Sequence, residues 1–175
     1  LSGLPIGVQI ALLFADKILS LFNFRIAVSM SITILGFFLF LASFSYEPWS
    51  FFIFLLFAGI AVGIVEVAVN IEADRVEFKI RKKIMNRSHS FWSLGFFSAG
   101  LLGAIFSQLN VSPTFHFLFC FVLALLLVFY FTKKYEVAPT RPTLNEKPSL
   151  FVIPSKKIMA LVFFTLSAML IEGAG

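Results

Sequence analysis

The chain has 175 residues, 59% of them apolar and only 13% charged, with a formal net charge of +5. A soluble domain of this length cannot bury so large an apolar share and still keep a wettable surface, so the composition excludes an ordinary globular protein and points to one coated by lipid. The positive charge sits in short connectors between long apolar runs, which argues for loops facing anionic lipid and cytoplasm and against nucleic acid as a partner.

A helix that spans a bilayer needs roughly 20 mainly apolar residues. Six stretches reach or approach that length, at about 3–22, 26–45, 50–72, 90–109, 115–132 and 157–175. Open strands cannot span lipid, because their edge amides would go unpaired. The expected fold is therefore all-α, a polytopic transmembrane helical bundle. Leu1 stands inside the first apolar run and Gly175 inside the last, which reads as a bundle truncated at both ends. Cys120 is the single cysteine and lies within an apolar run, so no intrachain disulfide can form.

In chain order, Lys17 and Arg25 flank the first connector. The second, around Tyr46 and Trp49, holds no Lys or Arg and carries the aromatic pair expected at a membrane interface. The third holds Arg75, Lys79, Arg81, Lys82, Lys83 and Arg87, and having neither Gly nor Pro it could instead continue as a short surface helix. The fourth, 110–114, has no basic residue; its Asn110-Val111-Ser112 triplet has the form of a glycosylation site but is followed at once by Pro113. The fifth holds Lys133, Lys134, Arg141, Lys147, Lys156 and Lys157, which completes the 14 basic residues. All of them fall on one side if the spans alternate, and the positive-inside rule makes that side cytoplasmic. Pro139, Pro142, Pro148 and Pro154 mark 133–156 as a cytoplasmic linker. The expected organisation is five spans of a first bundle in 1–132, the linker in 133–156, and the first span of a second bundle in 157–175.

An ionisable side chain inside a span costs about 2.5–3.5 kcal/mol on insertion scales, so each one needs a reason. Glu66 lies about 12 Å of helix rise from Asp74 at the inner edge, near mid-membrane. No basic residue lies in the interior of any span to neutralise it. Lipid disfavours the carboxylate anion, so Glu66 is a candidate proton carrier; the alternative is a carboxyl hydrogen-bonded to a neighbouring helix. Asn70, one turn further on the same face, either extends a polar pathway or bonds across helices. His89, Trp92 and Ser93 open the fourth span and could line an inner vestibule, although a histidine at the interface needs no such role. Glu172, before Gly173-Ala174-Gly175, could mark a broken helix at a solute site. Gly59 and Gly63, and likewise Gly95, Ala99 and Gly103, have the small-residue spacing of close helix packing. No phosphate-binding glycine loop, metal cluster or nucleophile elbow is present, so the reading is not an enzyme and needs no cofactor and no metal.

The layout of five spans, a long basic linker and a further span resembles spans two to seven of a major facilitator superfamily transporter. Ser20-Leu21-Phe22-Asn23-Phe24-Arg25 stands where that superfamily has its Asp-Arg-x-Gly-x-Arg loop; Arg25 matches, and Asp16, one turn earlier, is a stand-in for the Asp. Gly63-x-x-Glu66-x-Ala68-x-Asn70 is similar to the fourth span of the fucose permease branch, where an acid takes part in proton coupling and sugar binding. His89-Ser90-Phe91-Trp92-Ser93-Leu94-Gly95 and Glu172-Gly173-Ala174 resemble the fifth and seventh spans of related bacterial permeases.

The resemblance implies a multi-pass protein of the bacterial inner membrane, a plasma membrane, working as a secondary active transporter by alternating access. The expected activity is proton-coupled uptake of a small polar solute such as a sugar. In that reading Glu66 couples the proton, Asn70, His89, Trp92, Ser93 and Glu172 belong to the cavity, and Asp16 and Arg25 to a cytoplasmic gate. The partners are the solute, the coupling proton and the lipid bilayer; a monomer is the expectation, and the sequence leaves the oligomeric state open. The rivals are an exporter of drugs or metabolites with the same bundle, and a membrane receptor or scaffold that transports nothing.

Overall fold

The computed structural model describes residues 2–139, together with 155, 158–160, 163–164 and 167; the side chain of Asp16 lies outside the described part. The chain divides into two units, Leu1–Arg141 and Pro142–Gly175. Helices carry the first: α1 (Gly3–Leu21), α2 (Phe24–Ala42), α3 (Pro48–Ile80), α4 (Met85–Gln108) and α5 (Pro113–Lys134). No strand occurs among the described residues. In the second unit, 158–160, 163–164 and 167 are helical, and the Ser167 hydroxyl donates to the Phe163 carbonyl at 2.8 Å. Apart from Ser155, the linker beyond Pro139 lies outside the described residues, as does most of the run 157–175.

Four of the helices, α2 to α5, are long and apolar enough to cross a membrane. In α1 (Gly3–Leu21) the apolar stretch Gly3–Ala15 precedes Asp16 and Lys17.

The turns between helices follow from their local chemistry. Only Phe22 and Asn23 separate α1 from α2; Asn23 takes extended backbone and its Oδ1 accepts the Ile26 amide at 2.9 Å, satisfying an amide of the first turn of α2. Pro48 opens α3 at the position where a missing N–H costs nothing. The α4–α5 turn closes α4 with Asn110 in the left-handed region (φ 55°). There the Val111 amide reaches Phe106 O at 2.9 Å and the Asn110 amide reaches Ser107 O at 3.1 Å, the paired bonds of a Schellman closure. Ser112 then caps α5, accepting the Phe115 amide at 3.3 Å ahead of Pro113.

The third helix departs from the sequence expectation. The span was placed at about 50–72, yet α3 runs unbroken for 33 residues to Ile80. That is about 50 Å of helix against a hydrocarbon core of about 30 Å, so the surplus carries its charged final turns out of the apolar layer. It stops where Arg81 takes φ 53°. The next helix starts at Met85, ahead of the expected 90, because Glu77 reaches forward: its Oε1 accepts the amides of Ile84 (2.6 Å) and Met85 (2.7 Å). Hydrogen-bonding capacity that the first turn of α4 lacks is thus supplied by the preceding helix.

Helix α3 is the centre of the packing, with α1 along one side and α2 along another, while α5 lies on α2. The α1–α3 seam has glycines on both sides. A Cβ at Gly7 would collide with the Leu56 carbonyl, one at Gly59 with the Leu4 carbonyl, and one at Gly63 would meet the Ala11 methyl at 2.6 Å. Ala11 and Ala15 fill the same seam, at 1% and 2% exposure. Lipid tails are as apolar as leucine, so close backbone approach rather than apolar burial drives such a contact. The α2–α3 seam is aromatic instead, with Phe38 stacked on Phe57 at 4.9 Å.

The second expected small-residue stripe behaves differently. Nothing lies within 4 Å of where a Cβ would stand on Gly95 or Gly100, and at Gly103 only His116 Cε1 approaches, at 3.7 Å. No residue of α4 is buried. It meets α5 through Phe106, whose ring lies edge-on to His116 (4.9 Å) and Phe119 (5.5 Å).

Candidate functional site

Glu66 and Asn70 stand on α3 at the spacing i, i+4 and share the stripe that carries Gly59 and Gly63 (i, i+4, i+7, i+11). Both are half-buried. Neither makes a hydrogen bond or ion pair with any described residue, so among these residues the Glu66 carboxyl has no structural partner.

Among the described residues, no hydrogen bond or ion pair joins the other expected site residues to them. His89, Trp92 and Ser93 are exposed in the first turns of α4. Ser93 Oγ donates to the His89 carbonyl at 3.4 Å, and the Trp92 ring stacks on Phe96 at 6.5 Å. No hydrogen bond, ion pair or ring contact links this trio to Glu66 or Asn70. Arg25 lies in the first turn of α2, and its Nε is buried without a hydrogen-bond partner among the described residues. The Asp16 side chain and Glu172 lie outside the described part. His/Cys/Asp/Glu groups suited to a metal are absent among the described residues.

The most developed polar cluster was not anticipated, and it centres on Glu72. This residue is six positions beyond Glu66, about 240° round the helix, and so faces away from the Glu66 stripe. It is 3% exposed. Its Oε1 accepts the Tyr135 phenol at 2.9 Å and the Ala138 amide at 2.7 Å, while Arg75 Nη1 stands 3.3 Å from Oε2. A carboxylate can be buried this deeply because three donors, one of them cationic, replace its water. Burial, followed by the hydrogen bond and the charge of Glu72, pushes the Tyr135 phenol up to about 12. The Tyr135 ring also leans on Phe24 of α2, with centroids 5.3 Å apart.

Above this cluster, between α2, α3 and α5, lies a cavity of about 650 Å³. Val28, Val69, Leu127 and Phe131 form part of its apolar wall; Glu72, Tyr135, Thr132 and Ser88 are its polar members. Thr132 also receives a 3.4 Å hydrogen bond from Ser29, which ties α5 to α2.

No family model matches the sequence, no curated protein matches it, and no solved structure matches the fold.

Proposed function

We propose that the chain belongs to a secondary active transporter of the major facilitator type, in a bacterial plasma membrane with its basic loops cytoplasmic. It takes up a small polar solute such as a sugar, coupled to protons, by alternating access; Gly63-x-x-Glu66-x-Ala68-x-Asn70 resembles the fourth span of the fucose permease branch. The observation that carries this reading is Glu66, a carboxyl in the apolar length of α3, half-buried and without a partner among the described residues. A carboxyl kept for structure would be expected to hold a hydrogen bond to a neighbouring helix, because leaving one unpaired in lipid is costly. One kept for proton transfer must be free to exchange. Asn70, one turn away on the same stripe, adds a donor and an acceptor of the kind that orients a sugar hydroxyl.

Proton-coupled uptake has a direct signature. Cells carrying the intact protein are suspended in weakly buffered medium without an energy source, and candidate sugars are added in turn. Symport raises the external pH when the right solute enters. A solute that enters without alkalinising the medium would overturn the coupling, and one whose efflux is driven by proton entry would favour the exporter.

A further inference from the structure

Helices α3 and α5 both pack on α2, yet they make no extended contact with each other. The 650 Å³ cavity lies between them, and its apolar wall gives them no reason to close, since lipid tails solvate such a wall as well as a neighbouring helix would. At the cytoplasmic end the gap is nevertheless bridged. Residues Tyr135–Pro139 leave α5 without continuing the helix. They turn back onto α3 at Glu72, about two turns before its end at Ile80, and Ala138 is only 5% exposed. Both hydrogen bonds that hold them there end on one atom, Glu72 Oε1, at 2.9 Å from the Tyr135 phenol and 2.7 Å from the Ala138 amide. Arg75 on the other carboxylate oxygen leaves Oε1 to these two donors.

We infer that Tyr135–Pro139 is a strap coupling α5 to α3, with the Glu72 carboxylate as its latch. While the latch is closed, the cytoplasmic ends of the two helices keep a fixed separation. When it opens, the ends drift apart. Charge-assisted hydrogen bonds are short and directional, so they can hold a distance that apolar contact in a bilayer leaves free. The device depends on this geometry alone and is indifferent to the nature of the solute.

The test is a pair of spin labels on the intact protein in lipid nanodiscs, at Lys79→Cys on α3 and Lys133→Cys on α5, both exposed, with Cys120→Ser removing the native thiol. Pulsed dipolar spectroscopy should give a narrow distance distribution for the latched protein. Glu72→Met keeps the length of the side chain but offers no acceptor for the strap; the distribution should broaden to at least double its width. Tyr135→Phe removes one of the two bonds and should broaden it less. A Glu72→Met distribution superimposable on the parent's would overturn the latch. Should Glu72→Met fail to fold, Tyr135→Phe decides alone: broadening supports the strap, and an unchanged distribution contradicts it.

Discussion

The phenol of Tyr135 donates to Glu72 Oε1 at 2.9 Å across 63 positions of sequence, joining the chain just past the end of α5 to a buried face of α3. The contact holds the tyrosine in its protonated form, since a phenolate there would face a carboxylate in a partly desolvated site. With its pKa raised in the folded state from about 10 to about 12, the tyrosine contributes stability that is fully present below pH 10 and is lost as the pH rises through 12. A spectrophotometric titration of the phenolate band should therefore contain a late step from Tyr135. Tyr135→Phe should abolish that late step. A late step that survives the substitution would refute the assignment.

The seam between α1 and α3 should tolerate no added bulk. Gly63→Leu would press a branched side chain into Ala11 and the Val8 backbone, and overpacking of this kind costs about 1–3 kcal/mol or more. Its folded yield and melting temperature in detergent should fall clearly below the parent's. Gly95→Leu serves as the contrast, because the space around Gly95 is open. Equal losses in both variants would mean that the α1–α3 contact is not what limits folding.

The helices were legible because each apolar run is long enough to announce itself, and Gly59 and Gly63 announced a close crossing by their spacing. Their counterparts on α1, Gly3 and Gly7, went unremarked, since nothing in one sequence says which two stripes meet. Glu72 was missed for a physical reason. Beside Asp74 and Arg75 at the edge of a span it reads as an ordinary solvated interfacial charge, and its partners lie 63 and 66 positions away, beyond the reach of any local period. The far end of α3 was half-legible: no Gly or Pro stands between Gly63 and Gly95, so the sequence allowed a helix through Asp74–Ile80. The stop at Arg81 and restart at Met85 depend on Glu77 capping the turn, a contact that periodicity does not encode. Of the expected site residues, the sequence placed the proton-coupling candidate Glu66 and the cavity candidate Asn70 on one stripe. It offered no means of judging whether the first turns of α4 approach that stripe.

Topology can be checked with single cysteines in a Cys120→Ser background. Lys82→Cys, in the basic turn between α3 and α4, should react with a membrane-impermeant maleimide only in inverted vesicles or lysed cells. Ser112→Cys, in the turn between α4 and α5, should react in intact cells. Labelling of the Lys82 position in intact cells would reverse the orientation and with it the cytoplasmic place of the strap.

The central claim rests on Glu66 as the carrier of the coupled proton. Glu66→Gln mimics the protonated side chain and is cheaper to insert than a carboxylate, so the helix should still span the membrane. The measurement is solute uptake by the intact protein in vesicles, with and without an imposed proton gradient, using the sugar identified by alkalinisation. In the Gln variant, exchange of solute down its own gradient should persist, while accumulation should fall to the level reached without a proton gradient. Full gradient-driven accumulation by Glu66→Gln would contradict the account.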